Sequence, residues 1–212
     1  MTNDKERSAE LAITSAERAA GRLFRVYEQH CRNAGPDTLF LTLTALHSFN
    51  DQLDAALGKN LLQIEEFLAL KSLRNFAHHQ EDIESNVRVI PAPATSDLAF
   101  LCLVRRDQIE RAIESVDKRW REAARSACRD KFHWYGQAVN INPCLFNLMV
   151  HAYELLAQLN VQAPDEDIAK FKDSYQFERA NNHPHYIDGR LLSHLESIEG
   201  ILGLVVAQLP VA

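Results

Sequence analysis

Turn-forming residues are scarce in this sequence. The 212 residues include seven glycines and seven prolines, a content typical of long helices joined by few loops. No stretch of eighteen apolar residues occurs, so the sequence predicts no transmembrane helix. The charged start, MTNDKERSAE, also differs from a secretory signal peptide. We therefore expect a largely helical, cytoplasmic protein that makes no membrane contact.

Cysteine and positive charge are limited as well. The cysteines lie far apart and form no CxxC pair, which argues against a zinc site or a disulfide framework, and we predict neither a metal nor a cofactor. A formal net charge of -6 gives no general attraction to nucleic acid, so any such contact requires a local basic patch. The four cysteines are Cys31, Cys102, Cys128 and Cys144.

What the sequence does contain is helical periodicity along nearly its whole length. Apolar residues recur at intervals of three and four, the spacing of a helix with one buried face. We predict an all-α fold, an antiparallel bundle of about six or seven helices forming a single domain over residues 1–212. The motif-bearing helices lie in residues 1–85 and additional helices in 105–212. Two β-rich runs flank the proline-containing segment VIPAPATS, which predicts a small β-hairpin near residues 87–104.

Caps and breakers give the expected helix limits. The first helix spans about 4–31. The second follows Asp37 as N-cap and stops at Gly58, and Asn60 caps the third. After the hairpin we expect one helix over 105–131 with Trp120 and Ala123 in its apolar stripe. The remaining helices are expected from Asn142, over about 165–180 and over about 188–209. The last of these ends in GILGLVVAQL, which is apolar on every side and therefore predicts burial or packing against a second chain.

Polar residues with chemical potential lie at the end of the third helix, in LALKSLRNFAHHQED. Asn75 and His79 are four residues apart and share a helix face, and the long side chain of Arg74 can reach the same space. A guanidinium can hold a phosphate and a histidine can move protons near neutral pH. The alternative is structural, because cations complement a helix C-terminus and asparagine often ends a helix.

The stretch RNFAHH resembles the R-N-x-x-x-H signature of HEPN domains, with Arg74, Asn75 and His79 at the three motif positions. The layout of two long antiparallel helices, with the motif near the end of the second, is also similar. The resemblance implies a helical bundle that forms a homodimer with two motif copies facing each other. In many members of the family it implies metal-independent RNA cleavage, often in a toxin–antitoxin pair with an antitoxin protein as partner, or in phage defence.

The resemblance also implies roles for the motif residues of an endoribonuclease. His79 would act as general base or general acid on a ribose 2′-hydroxyl, Arg74 would stabilise the transition state, and Asn75 would orient the scissile group. RNA is the expected substrate because its 2′-hydroxyl supplies an internal nucleophile. His78 competes for the role of His79, since it also lies one turn after Arg74.

Two other functional classes stay open. A non-catalytic HEPN-like module would use Arg74 to bind a nucleotide, an antitoxin or another protein, and the net charge of -6 favours this alternative over a general RNA-degrading enzyme. A metal site built from His183, His185 and His194 is the weaker alternative, because their spacing matches no metal motif and favours a loop with surface histidines.

Two further sets of polar residues are left outside the predicted site. His47, Asp51 and Asp54 line the polar side of the second helix, where they could supply an acidic partner for His79, but exposed carboxylates are ordinary there. Basic residues between positions 105 and 131 form a stripe that could follow an RNA backbone. Because Glu114 and Glu122 interrupt it, a solvated face of mixed charge is favoured. The stripe consists of Arg111, Lys118, Arg121, Arg125 and Arg129.

Overall fold

The computed structural model of the chain describes residues 2–91 and 98–189. These residues form a bundle of helices with one small antiparallel sheet, which confirms the predicted fold class. The seven helices of the described residues are α1 (Thr2–Arg32), α2 (Pro36–Leu57), α3 (Glu65–His79), α4 (Arg106–Ser115), α5 (Lys118–Lys131), α6 (Asn142–Leu159) and α7 (Asp165–Ala180). The four strands are β1 (Ser85–Pro91), β2 (Leu98–Arg105), β3 (His133–Tyr135) and β4 (Ala138–Asn140).

The predicted hairpin is present as β1 and β2. They pair antiparallel from Ser85 opposite Val104 to Pro91 opposite Leu98. The sheet continues beyond the prediction, because β4 pairs with β2 and β3 pairs with β4, giving the order β1-β2-β4-β3. This second hairpin was not predicted, because its three-residue strands are too short to show an alternating pattern.

Helix α3 lies at the centre of the bundle. It packs against α2, α4, α5 and α6, while α1 lies along α2 and also contacts α7. The interior is a single cluster of apolar side chains drawn from all of these helices and from β2 and β4. Its largest fully buried members are Phe24, Phe49, Phe67 and Phe76. This core fixes the orientation of α3 and hence of the motif at its end.

The starts of α2 and α3 differ from the predicted caps. Helix α2 begins at Pro36 with Gly35 as its N-cap, because proline is pre-set for the first helical position. Helix α3 begins only at Glu65, since Asn60 accepts a local hydrogen bond from the Leu62 amide at 3.2 Å and does not cap a helix. The predicted end of α2 is confirmed, with Gly58 as a left-handed C-cap at φ 61°.

The predicted helix over 105–131 is wrong in one respect, because it is broken into α4 and α5. Asp117 caps α5 by accepting a hydrogen bond from the Arg119 amide at 2.9 Å. The break shifts the phase of the apolar stripe, so Trp120 is 56% exposed and Ala123 is also exposed, contrary to the prediction for both residues.

The later helices follow the sequence pattern closely. Helix α7 spans the residues expected of it, and Pro143 lies in the first turn of α6. The predicted last helix over 188–209 lies outside the described residues apart from its first two positions. No helix in residues 2–91 or 98–189 is both long enough and apolar enough to cross a membrane.

Candidate functional site

The motif residues occupy the last two turns of α3. The neighbouring side chains of Leu73 and Phe76 are buried in the core, and they anchor this part of the helix. Arg74 and Asn75 are half-buried, whereas His79 is exposed at the final residue of the helix. The helix therefore presents the motif side chains at the boundary between the core and solvent.

Arg74 and Asn75 contact each other directly. The Arg74 guanidinium donates a hydrogen bond from Nη1 to Oδ1 of Asn75 at 3.2 Å. Its Nε is buried and has no hydrogen-bond partner among the described residues. Over the same residues Arg74 forms no ion pair with a carboxylate, in contrast to Arg105, Arg111 and Arg125, each of which does. The guanidinium of Arg74 thus keeps donors that an anion could use.

The two adjacent histidines stand close together at the end of α3. Their ring centroids are 4.7 Å apart, and their Nδ1 atoms are separated by 3.5 Å. Within the described ranges, no hydrogen bond joins His79 to Arg74. Asn75 lies one turn before His79. On the helix surface, its side-chain amide therefore lies between the Arg74 guanidinium and the His79 ring.

His78 faces a cavity of about 370 Å³ between the end of α3 and the start of α2. Opposite ends of the two helices meet at this cavity, as expected for an antiparallel pair. Position 78 therefore lies on the side of α3 that meets α2, one turn after Arg74. The other residues around the cavity are Pro36, Asp37, Leu39, Phe40, Leu43, Ala77, Asp82 and Ile83.

Helix α2 adds a histidine that lay outside the predicted site. Nδ1 of His47 is 3.1 Å from Oδ2 of Asp51, one turn further along the helix. Burial lowers the pKa of His47, and the positive charges of Arg74 and Lys71 lower it further, whereas Asp51 opposes both effects. His47 therefore lies in the electrostatic field of the motif arginine.

From the sequence, His47, Asp51 and Asp54 were predicted only as a possible source of an acidic partner for His79. In the described structure the charges on α3 that act on His47 are those of Lys71 and Arg74, and Asp54 accepts a hydrogen bond from Asn60 at 3.0 Å. The signal that could have placed His47 was its spacing of four residues from Asp51. The missing information was which face of α2 meets α3.

The basic stripe of α4 and α5 is largely neutralised, as the mixed-charge interpretation expected. Arg125 pairs with Glu114 and Glu122 at 2.6 Å each, and Arg121 pairs with Glu114 at 3.3 Å. Further along, Arg129 pairs with Asp130 at 2.9 Å. These arginines offer few free donors to an RNA backbone.

Of the histidines after α7, His185 is held by protein groups. His185 lies 2.8 Å from a carboxylate oxygen of Glu178 and stacks on Tyr175 with 3.7 Å between ring centroids, while His183 is exposed. No group of three potential metal ligands occurs in the part of the chain that the structure describes. His194, the third residue of the alternative metal site, lies outside the described residues.

Comparisons of the chain with known protein families, curated proteins and solved structures found no match. The resemblance to HEPN domains therefore depends on Arg74, Asn75 and His79 and on their position in an antiparallel helix pair.

Proposed function

We propose that this protein is a metal-independent endoribonuclease of the HEPN type, with Arg74, Asn75 and His79 in its site. The observation that carries the proposal is the setting of Arg74. Its guanidinium is half-buried, bonded to the neutral amide of Asn75 and without a carboxylate ion pair in the described ranges. Three other side chains that can carry positive charge lie within five residues of Arg74 on α3, namely Lys71, His78 and His79.

The proposed reaction uses the 2′-hydroxyl of RNA as nucleophile. The 2′-oxygen attacks the adjacent phosphorus while the bond from phosphorus to the 5′-oxygen breaks, which leaves a 2′,3′-cyclic phosphate and a free 5′-hydroxyl. Arg74 binds the phosphate and stabilises the charge that develops on it, Asn75 orients the guanidinium, and His79 transfers a proton. Cleavage of cellular RNA would take place in the cytoplasm, in a toxin–antitoxin or phage-defence setting.

The first experiment measures cleavage of labelled single-stranded and structured RNAs in buffer containing EDTA. We expect products with 2′,3′-cyclic phosphate ends, and a loss of about 100-fold or more in rate for Arg74→Ala and His79→Ala, the scale seen when a transition-state donor or a proton-transfer group is removed. Asn75→Ala should cost less. Matched controls are Arg22→Ala on α1 and His183→Ala after α7, both at exposed positions.

The same assay decides between the two histidines. If His78→Ala abolishes cleavage while His79→Ala retains it, the motif alignment is wrong at this position. If the wild-type protein cleaves no RNA but binds a labelled nucleotide through Arg74, the protein is a binding module. The net charge of -6 and the neutralised arginines of α5 are the observations that favour this second function.

The proposed ribonuclease acts as a homodimer in which two motif copies form one site. Sedimentation of the full chain at tens of micromolar should give twice the monomer mass of 24.1 kDa. A stable monomer that still cleaves RNA would contradict the dimeric site and leave the chemistry of the motif intact.

A further inference from the structure

The side chains of His47 and Asp51 form a pair on the face of α2 that meets α3. Nδ1 of His47 and Oδ2 of Asp51 are 3.1 Å apart. The imidazole is 21% exposed, so it is shielded by the protein yet accessible to a ligand, while the carboxylate is 58% exposed. The positive charges of Lys71 and Arg74 on α3 act on His47, and the first turns of α2 and the end of α3 line one cavity.

The carboxylate of Asp51 is itself held from two sides. Its second oxygen, Oδ1, accepts a hydrogen bond from Nδ2 of Asn50 at 3.2 Å. Asn50 is buried, and its own Oδ1 accepts a hydrogen bond from the Leu61 amide at 2.8 Å. A chain of contacts from the backbone before α3 thus fixes Asp51, and Asp51 fixes the ring of His47.

This arrangement selects one form of the imidazole. An ionised carboxylate only accepts hydrogen bonds, so Nδ1 of His47 carries a proton and Nε2 has a free lone pair. Burial, followed by the charges of Arg74 and Lys71, lowers the pKa of His47 against the opposing effect of Asp51. The ring is therefore neutral at pH 7 and can accept a proton.

We propose that His47, oriented by Asp51, is the general base of the ribonuclease site, and that Asp51 is its positioning residue. This role rests on the proposed function. A base held by a third group beside a phosphate-binding cation is the arrangement that activates a hydroxyl nucleophile. The reaction needs one group that accepts the proton of the 2′-hydroxyl and one that donates a proton to the leaving 5′-oxygen. The motif supplies only His79 for both transfers. With His47 as the base, each transfer has its own histidine.

Nε2 of His47 takes the proton of the 2′-hydroxyl as the 2′-oxygen forms its bond to phosphorus, and Asp51 stabilises the resulting imidazolium. Arg74 holds the non-bridging oxygens. The bond to the 5′-oxygen breaks, and this leaving oxygen receives a proton from His79, giving a 5′-hydroxyl and a 2′,3′-cyclic phosphate. Water-mediated return of the proton from His47 to His79 restores the enzyme.

The decisive experiment measures kcat/KM against pH for the full-length wild-type protein and single variants. His47→Asn should lower kcat/KM by about 100-fold or more while RNA binding, measured by fluorescence anisotropy, stays within about threefold of wild type. Asp54→Asn, one turn beyond Asp51 on the same helix, is the matched control and should retain full activity.

Two variants that keep His47 test whether its pKa sets the acidic limb of the pH profile. This limb would not shift if His47 had only a structural role. Because Asp51 raises and Lys71 lowers the pKa of His47, Asp51→Asn should move the acidic limb of the profile to lower pH, and Lys71→Gln should move it to higher pH. Shifts in opposite directions identify His47 as the group that must be deprotonated.

The outcomes separate this role from the proposed function. Wild-type cleavage that survives His47→Asn with an unchanged pH profile overturns the role of His47 and leaves the ribonuclease intact. If His47→Asn does not fold, unchanged acidic limbs in both Asp51→Asn and Lys71→Gln overturn it equally. A wild-type protein that binds RNA without cleaving it overturns the ribonuclease, and the role of His47 falls with it.

Discussion

Asn50 connects the stability of the bundle to the polar site. Its side chain is buried on α2, where Oδ1 accepts a hydrogen bond from the Leu61 amide at 2.8 Å and Nδ2 donates to Asp51 at 3.2 Å. The amide of Leu61 would otherwise be buried without a partner, because α3 begins only four residues later. One side chain therefore satisfies a buried amide in the turn before α3.

We predict that Asn50→Ala lowers the free energy of unfolding by about 1–3 kcal/mol, because it leaves a buried amide donor unsatisfied. Urea unfolding of the two proteins would measure the difference. The control is Asn60→Ala, which removes hydrogen bonds at the half-exposed loop and should change the free energy by no more than about 0.5 kcal/mol. Equal changes in the free energy of unfolding for the two substitutions would show that the buried hydrogen bond stabilises the fold no more than the exposed ones.

At the scale of single residues, the sequence predicted the position of the motif better than its surroundings. Spacing alone placed Arg74, Asn75 and His79 at the end of one helix, which the structure has. It could not predict that the charge of Arg74 acts on His47, because that effect depends on how two helices pack and not on the pattern within either. In the sequence His47 was one of several polar residues on α2, and its only local signal was its spacing of four residues from Asp51.

At the scale of elements, helix existence was easier to predict than helix continuity. The apolar spacing of three and four continues from α4 into α5, so the pattern predicted one helix. Asp117 ends that continuity by capping α5, but aspartate is also tolerated on exposed helix surfaces, so its presence alone did not indicate a break. Ala124 is buried in place of Ala123, which shows the change of phase.

The contact between α1 and α7 depends on one glycine. A Cβ atom added at Gly21 would lie 2.5 Å from a carboxylate oxygen of Asp167 and 2.7 Å from the ring of Pro164. The proline ring cannot rotate away, and Asp167 is held by an ion pair with Arg25 at 2.6 Å. The first turn of α7 can therefore approach α1 only where the side chain is missing.

We predict that Gly21→Ala destabilises the protein by about 1–3 kcal/mol, the usual cost of forcing an extra group into a packed contact. In a helix with free space the same change would stabilise the protein by about 0.5–1 kcal/mol, so the sign of the effect is diagnostic. Urea unfolding measures it, and Ser15→Ala at an exposed position of α1 is the control, with an expected change within about 0.5 kcal/mol. A stabilising Gly21→Ala would show that α7 does not pack closely at this point.

At the scale of the whole molecule, some basic side chains form ion pairs with carboxylates and others do not. The described arginines of α4 and α5 mostly pair with carboxylates, whereas Lys71 and Arg74 form no ion pair in the described residues. A protein of net charge -6 therefore retains a small cationic surface where α2 and α3 meet. Composition indicated that nucleic-acid binding needs a local patch, and Lys71 and Arg74, three residues apart on α3, supply the cations of one.

Three partly or fully buried histidines give the molecule a common response to acid. His30 is fully buried, with Nδ1 2.9 Å from the Thr38 hydroxyl and Nε2 without a hydrogen-bond partner in the described structure. Burial lowers the pKa of His30 below its ordinary value of 6.5, and burial is also the largest cause of the lowered pKa of His47 and His133. The folded state therefore favours neutral forms of all three.

We predict that the protein loses stability as pH falls below about 6.5, with His30 contributing to the loss. The unfolded chain binds protons to its histidines in this range while the folded state resists protonation, so each such histidine can remove up to about 1.4 kcal/mol per pH unit. His30→Asn should lower the free energy of unfolding at pH 7.5 by about 1–3 kcal/mol, since it replaces a packed side chain, yet reduce the further loss between pH 7.5 and 5.5. Urea unfolding at both pH values measures this.

His183→Asn, at an exposed position, should leave the pH dependence unchanged, and an equal loss in wild type and His30→Asn would rule out His30 as a source of acid sensitivity.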